Sequence, residues 1–144
     1  MQTQELISIA SQVRRDILRM VHGCQSGHPG GSLGCTDLLV GLYFDAMNLA
    51  LDTTHNQVVF NMSAMNEDVF FLSNGHISPV LYSVLARRGY FPINELSTFR
   101  KINSRLQGHP TPHEHLEGIR IASGSLGQGL SVAIGVAQAK KLNK

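Results

Sequence analysis

The hydrophobic pattern at the start of the chain predicts a long amphipathic helix. Over residues 6–21, apolar side chains recur at steps of three and four, which is the spacing of one face of an α-helix. The polar side chains fall largely on the opposite face: Gln12, Arg15, Asp16 and Arg19. His22 and Gly23 follow the last apolar position, so we expect the helix to end there.

Two further helices are predicted in the middle of the chain. Residues 36–47 are apolar nearly all round, which indicates a helix that is buried on most of its sides. Ser78 and Pro79 provide an N-cap and a first helical residue, and Gly89 provides a stop, so a helix is expected over about 79–88.

Two short apolar runs predict strands. The run at 69–72 is followed by a turn at 73–75, which is typical of a buried strand that ends in a loop. A shorter run at 119–121 precedes a glycine-rich turn and an apolar helix over 130–137. Two strand–turn–helix units among several helices indicate an α/β fold with a parallel sheet flanked by helices. Because two strands are few for such a sheet, we expect it to be incomplete, as in a fragment or a chain whose partner supplies strands.

Composition and charge remove several function classes. The 144 residues fit one domain, and 12 Lys and Arg against 10 Asp and Glu give a net charge of +2, which is too balanced for nucleic-acid binding. Residues 121–139 carry no charge, but polar residues and glycines interrupt them throughout, so no membrane span is predicted. Cys24 and Cys35 are interpreted as reduced thiols, which favours a cytoplasmic protein.

Glycine and histidine occur together in three segments, and the third is followed by a glycine-rich turn. The segments are 26–32 (SGHPGGS), 73–76 (SNGH) and 108–110 (GHP), and the turn is 123–129 (SGSLGQG). In open α/β sheets, ligands bind at the carboxyl ends of strands, where loops meet helix N-termini, and two of the segments are predicted to lie there. Glycine lets the backbone approach a ligand and a helix N-terminus favours an anion, so the turn is suited to a phosphate.

Each of these signals has a less specific explanation. The spacing of Gly124, Gly127 and Gly129 matches neither the dinucleotide fingerprint nor the P-loop. A single histidine after a glycine turn is more often a surface residue than a catalytic one. His113 and His115 lie two residues apart in a predicted loop and resemble no helical zinc site, so no metal site is predicted within the chain.

Taken together, the motifs are far more specific than they are singly. In order and spacing they resemble the N-terminal half of transketolases, above all the separately encoded N-terminal subunit of split transketolases: SGHPGGSLG, FFLSNGH, SRLQGHP and SGSLGQGLSVAIG. The resemblance implies that residues 1–144 are the N-terminal portion of the domain that binds the diphosphate of thiamin diphosphate. It implies a parent enzyme of the pentose phosphate pathway that transfers a two-carbon ketol unit from a ketose phosphate to an aldose phosphate.

The resemblance also implies roles for particular residues. His28 and His109 match the histidines that lie beside the thiazolium ring and the hydroxyl groups of the donor, so both are catalytic candidates. The cofactor-binding candidates match a histidine at the diphosphate and a loop that binds through its backbone: His76, Gly124, Ser125 and Leu126. Arg100 matches an arginine near the entrance to the active site, although a solvated charge at a helix end explains it equally well.

The resemblance places other parts of the site outside these residues. The metal-binding turn of the family, Gly-Asp-Gly followed by an asparagine, has no counterpart here, so the ligands of Mg²⁺ or Ca²⁺ are expected downstream of this chain. The glutamate that activates the cofactor belongs to the second domain of a partner chain. We therefore expect a C-terminal transketolase subunit or domain as partner, in a homo- or hetero-oligomer such as a dimer. We expect no activity from this chain alone.

Two alternatives to a transketolase stay open at this point. A deoxyxylulose-phosphate synthase also uses thiamin diphosphate, but its corresponding segments lack the paired SGHPG and GHP motifs. A non-catalytic fragment or scaffold that keeps the fold is the other alternative, and the presence of all three histidines argues against it. Continuation of the parent reading frame into a Gly-Asp-Gly turn would separate these alternatives.

Overall fold

The first helix, α1 (Thr3–Cys24), forms one side of the core. The computed structural model describes residues 1–52, 54, 57–63 and 65–143. The apolar face of α1 is buried as predicted: Ala10, Val13, Ile17 and Met20. The helix runs past His22 and Gly23, and it ends where Gln25 takes a left-handed conformation with φ of 52°.

Asp16 corrects the prediction for the polar face of α1. It was expected to face solvent, yet its side chain is only 6% exposed. Its carboxylate accepts hydrogen bonds from Ser83 Oγ at 2.8 Å and from Arg87 Nε at 2.6 Å, with a second guanidinium contact at 3.0 Å. These donors come from a later helix, and they offset the cost of removing the charge from water.

The predicted helix over 36–47 is divided and only partly buried. A short helix α2 (Pro29–Gly34) precedes α3 (Thr36–Gly41), which continues into a π-helical turn over Leu42–Ala46. Leu39 is buried whereas Leu38 is 64% exposed, so the expectation of burial on most sides is wrong. The apolar character of this segment exceeds the surface available to cover it.

The central element is α4 (Ser78–Arg88), which confirms the predicted helix. It packs against α1, α2, α3 and a 3₁₀ helix over Ile93–Thr98, and every residue from 78 to 86 is buried. Gly89 ends the helix in a left-handed conformation with φ of 95°, as expected of a C-terminal glycine. A 3₁₀ turn over Gly75–Ile77 leads directly into α4.

The predicted parallel sheet is not confirmed. Within the described residues, the sheet consists of two short antiparallel strands, β1 (Leu51–Asp52) and β2 (Gln57–Val58). Residues 69–72 and 119–121, which were predicted as strands, belong to no strand in the described part of the chain. A strand is defined by the neighbour to which its backbone bonds, and no described neighbour pairs with either segment.

The last helix, α5 (Gln128–Leu142), lies largely on the surface. Gly129 is the one buried residue among its fifteen, all of which the structure describes. A Cβ atom at Gly129 would lie 2.6 Å from Cβ of Ser73, so glycine allows the first turn to touch the 73–76 segment. Among the helices of the described residues, neither α5 nor any other has the length and hydropathy needed to cross a membrane.

Candidate functional site

The three glycine–histidine segments meet at one place on the surface. His28 precedes α2, His76 lies in the turn before α4, and His109 lies in the loop that follows the 3₁₀ helix. The ring centroids of His28 and His76 are 5.2 Å apart, and those of His76 and His109 are 4.6 Å apart. Both pairs are close to perpendicular, so His76 is the middle ring of a histidine cluster (His28, His76 and His109).

A close approach of α2 to the turn before α4 brings His28 to His76. The backbone carbonyl of His28 accepts a hydrogen bond from Ser32 Oγ at 2.9 Å, which closes the first turn of α2. A Cβ atom at Gly31 would lie 2.8 Å from a methyl group of Ile77. The glycines of the SGHPGGS segment therefore permit the packing that positions His28.

Two glycines allow close packing at His109 and at Arg100 beside it. A Cβ atom on Gly124, whose φ is +144°, would lie 3.0 Å from Cδ2 of the His109 ring. A Cβ atom on Gly108 would lie 2.6 Å from Cζ of Arg100. The Arg100 guanidinium also donates to Ser26 Oγ at 3.1 Å, so it links the first and third segments.

The glycine-rich turn before α5 is tied to the segment that carries His76. Ser73 Oγ accepts hydrogen bonds from the backbone N–H groups of Gly127 at 3.3 Å and Gly129 at 3.2 Å. Gly127 is the N-cap with φ of 92°, and since glycine has no side chain to cap the helix, Ser73 caps it from outside. Ser125 and Leu126 are exposed at the tip, which leaves the positive end of α5 accessible beside the cluster.

The environment of His109 keeps its imidazole neutral near pH 7. Burial lowers the pKa of His109 below its usual range, and the neighbouring His76, Arg100 and His28 lower it further. A neutral imidazole carries both a donor and an acceptor nitrogen, so it can take up or release a proton at a substrate oxygen.

A metal site is not apparent in the described part of the chain. No group of three or more His, Cys, Asp or Glu side chains is arranged there to hold an ion. His113 and His115 are both exposed, and they lie at a 3₁₀ turn over Pro112–Glu114. The two cysteines, Cys24 and Cys35, are free thiols.

A well-formed cavity lies away from the histidine cluster. It has a volume of about 330 Å³ and is lined by α1 and the 3₁₀ helix, with Met20, Leu96 and Phe99 among its apolar walls. None of the described residues that line it is a histidine. The three histidines of the sequence motifs lie in the cluster, so we assign the candidate site to that open surface and not to the cavity.

Sequence reasoning missed three hydroxyl groups that hold the site together. Ser73 binds the turn before α5, while Ser78 and Tyr82 bind the loop that carries His109. A signal was present for two of them, because Ser78 and Tyr82 lie one turn apart in a helix that is otherwise apolar over most of its length. Their spacing placed both hydroxyls on one face of that helix.

Comparisons with known proteins agree on one family. The family model "Transketolase, thiamine diphosphate binding domain" matches residues 6–144. The transketolase of Pongo abelii is 36% identical over 138 residues, which cover 96% of this chain and 20% of that protein. One subunit of the apulose-4-phosphate transketolase of Phocaeicola vulgatus is 33% identical over 144 residues, which cover all of this chain and 48% of the relative.

Solved structures give the same result. The transketolase from Leishmania mexicana superposes with a TM-score of 0.76 at 29% identity, over 90% of this chain and 18% of that chain. The transketolase from Campylobacter jejuni gives a TM-score of 0.76 at 32% identity, over 94% of this chain and 20% of that chain. This chain therefore spans about a fifth of these transketolases and about half of the Phocaeicola vulgatus protein.

Proposed function

The chain belongs to the transketolase family, and we propose that residues 1–144 form the N-terminal portion of the domain that binds the cofactor's diphosphate. The parent activity that we propose is transfer of a two-carbon ketol unit from a ketose phosphate to an aldose phosphate. The observation that carries this proposal is the meeting of His28, His76 and His109 beside the turn at 124–126. Three segments that are far apart in sequence converge on one surface that can serve both an anion and proton transfer.

The residues present fit the diphosphate of thiamin diphosphate. The start of α5 is the positive end of the helix, and Gly124 and Gly127 leave the backbone before it free of side chains at those two positions. Ser123 Oγ is buried without a hydrogen-bond partner among the described residues, which marks a polar atom available beside the turn. The residues that we propose to hold the cofactor are His76, Gly124, Ser125 and Leu126. The bound cofactor would supply a thiazolium ring that acts as an electron sink.

The histidines would bind and move protons at the substrate. His109 is held neutral by its surroundings, so one of its ring nitrogens can give a proton to, or take a proton from, a hydroxyl group of the ketose phosphate. His28 lies at the exposed end of the cluster, where its ring can contact a ligand that rests on His76. His76, between the other two rings, is placed to orient them and to contact the diphosphate.

We propose that a C-terminal transketolase subunit or domain completes the site. The relative that is one subunit of an apulose-4-phosphate transketolase supports such a division, and so does the fraction of each relative that this chain spans. The exposed apolar residues of α5, Leu130 and Ile134, offer a surface for that partner in a homo- or hetero-oligomer. The ligands of Mg²⁺ or Ca²⁺ would lie in the completing part, and the free thiols fit a cytoplasmic location.

Substitution of the histidines in the complete, assembled enzyme tests this function. We expect His109→Ala to lower kcat/KM for a ketose phosphate donor by about 10²–10⁴-fold, because a proton-transfer group is lost. His76→Ala should instead weaken thiamin diphosphate binding, measured by calorimetry. His113→Ala, at an exposed histidine close to His109 in sequence, is the matched control and should change neither quantity. Wild-type kinetics in His109→Ala would contradict the assignment.

A further inference from the structure

Two hydroxyl groups are buried in the core on the face of α4 that meets the His109 loop. Ser78 is 0% exposed and Tyr82 is 1% exposed. They lie one helical turn apart, so their side chains project from the same face of the helix. Their neighbours in α4 include apolar residues that are equally buried, such as Val80 and Leu85.

Both hydroxyls bind the backbone immediately before His109. Ser78 Oγ donates to the carbonyl of Gly108 at 2.8 Å, and Tyr82 OH donates to the carbonyl of Gln107 at 2.8 Å. On the other side of His109, the carbonyl of Pro110 accepts from the backbone N–H of Ser123 at 3.1 Å. The backbone is thus held on both sides of the histidine, with α4 supplying both donors on one side.

We propose that Ser78 and Tyr82 are positioning residues, which hold the His109 imidazole between His76 and Gly124. The arrangement rests on α4 as a common support, because His76 lies just before Ser78 in the turn that leads into the same helix. One buried element therefore fixes two rings of the histidine cluster relative to each other. The link to catalysis rests on the proposed function, whereas the positioning itself does not.

The two hydroxyls supply hydrogen bonds to the loop carbonyls of Gly108 and Gln107, which apolar packing alone would leave without donors. Alanine at 78 or phenylalanine at 82 would keep most of the apolar contact but would leave a loop carbonyl without its donor. A carbonyl that loses its partner in a buried setting moves toward water or another donor, and the loop moves with it. Burial raises the pKa of Tyr82 above its usual range, so the phenol stays protonated and remains a donor.

Ser83 offers a matched control on the same helix. It is 0% exposed, like Ser78, and its hydroxyl donates to Asp16 Oδ2 at 2.8 Å. That bond faces α1 and has no connection to the His109 loop. Loss of the Ser83 hydroxyl therefore removes a buried hydrogen bond of equal length without releasing the histidine.

The test is a titration of the histidine Cε1–H signals of the 144-residue chain by NMR, with His109 identified from the signal lost in His109→Gln. The pKa of His109 is lowered by burial first, and then by the neighbouring His76, Arg100 and His28. If the loop is released, the ring leaves these charges and gains water. We expect the His109 midpoint in Tyr82→Phe and in Ser78→Ala to rise toward about 6.5, the ordinary value of imidazole. In Ser83→Ala it should stay at the wild-type value.

An unchanged His109 midpoint in either folded single variant would overturn the proposal, and so would an equal rise in Ser83→Ala. Each single variant is read by itself, so failure of one to fold leaves the other as the test. Because the titration follows the imidazole and not turnover, a different role for His109 in the enzyme would leave this result intact. If the His109 midpoint rises as expected while His109→Ala keeps wild-type kinetics in the assembled enzyme, only the proposed function is contradicted.

Discussion

The helices α4 and α5 are both rich in apolar residues, but α4 is mostly buried and α5 is mostly exposed. Residues 78–86 of α4 are all buried, whereas Gly129 is the one buried residue of α5, each helix being described in full. The apolar residues of α5 are spread around the helix, and several are more than half exposed: Leu130, Ile134 and Leu142. Burial therefore follows from the surfaces that surround a helix, and apolar composition alone does not secure it.

The histidines and the glycine-rich turn of the candidate site are also supported by different helices. The histidines at 76 and 109 are held by α4, which packs against several neighbouring helices. The turn at 124–127 packs against His109 at Gly124, and at Gly127, which Ser73 binds, it leads into a helix that lies on the surface. We infer that the histidine cluster is formed within this chain, and that the turn proposed to bind the diphosphate depends on the contacts made by α5.

The largest expected effect compares one leucine from each helix. Leu85 of α4 is 0% exposed and contacts the position of Gly118, whereas Leu130 of α5 is 66% exposed. We expect Leu85→Ala to lower the free energy of unfolding by about 3–5 kcal/mol, since it removes buried methyl groups and leaves a cavity. Leu130→Ala should cost less than about 0.5 kcal/mol. Urea denaturation of the two variants measures both, and equal losses would show that α5 is covered in solution.

The second expected effect concerns the buried ion pair between Asp16 of α1 and Arg87 of α4. Asp16 is 6% exposed and binds Arg87, which lies in the last turn of α4 and is 20% exposed. We expect Asp16→Asn to cost about 2 kcal/mol, below the ~3–5 kcal/mol of a fully buried pair, because Arg87 keeps some water. The control is Asp37→Asn, which breaks the ion pair between Asp37 and Arg14. Because the Asp37 side chain is 73% exposed, we expect this substitution to cost less than about 0.5 kcal/mol.

If Asp37→Asn lowered the free energy of unfolding as much as Asp16→Asn in the same urea experiment, the burial of Asp16 would not make its ion pair more stabilising than an exposed one. The contrast between the buried and the exposed helix would then hold for apolar contacts only.

The sequence predicted local features well and long-range partners poorly. The spacing of apolar residues located α1 and α4, and the motifs located the three histidines, because both signals depend on a few neighbouring residues. Asp16 escaped prediction, since its burial depends on Ser83 and Arg87, which are 67 and 71 residues away. The strand prediction at 69–72 failed for the same reason, as an apolar run says nothing about which segment will pair with it.

The candidate site shows the same division. The resemblance carried the identity of the candidate residues, but it gave no account of how the loop before His109 is anchored to Tyr82. That anchor joins a side chain to a backbone carbonyl 25 residues away, which no local pattern encodes.

The smallest expected effect concerns His109, which lies where the two regions meet. Its pKa is lowered in the folded chain, so the folded state binds its proton less readily than the unfolded state does. Its contribution to stability is therefore fully present above about pH 6.5, the ordinary imidazole value, and is lost as the pH falls through the lower folded-state pKa. We expect the urea midpoint of the wild-type chain to fall more steeply below about pH 6.5 than that of His109→Gln, which cannot take up this proton. His113→Gln, at an exposed histidine, is the control and should keep the wild-type slope. A wild-type slope in His109→Gln would mean that the cluster around His76 does not resist protonation, and that the loop anchored to α4 is open in solution.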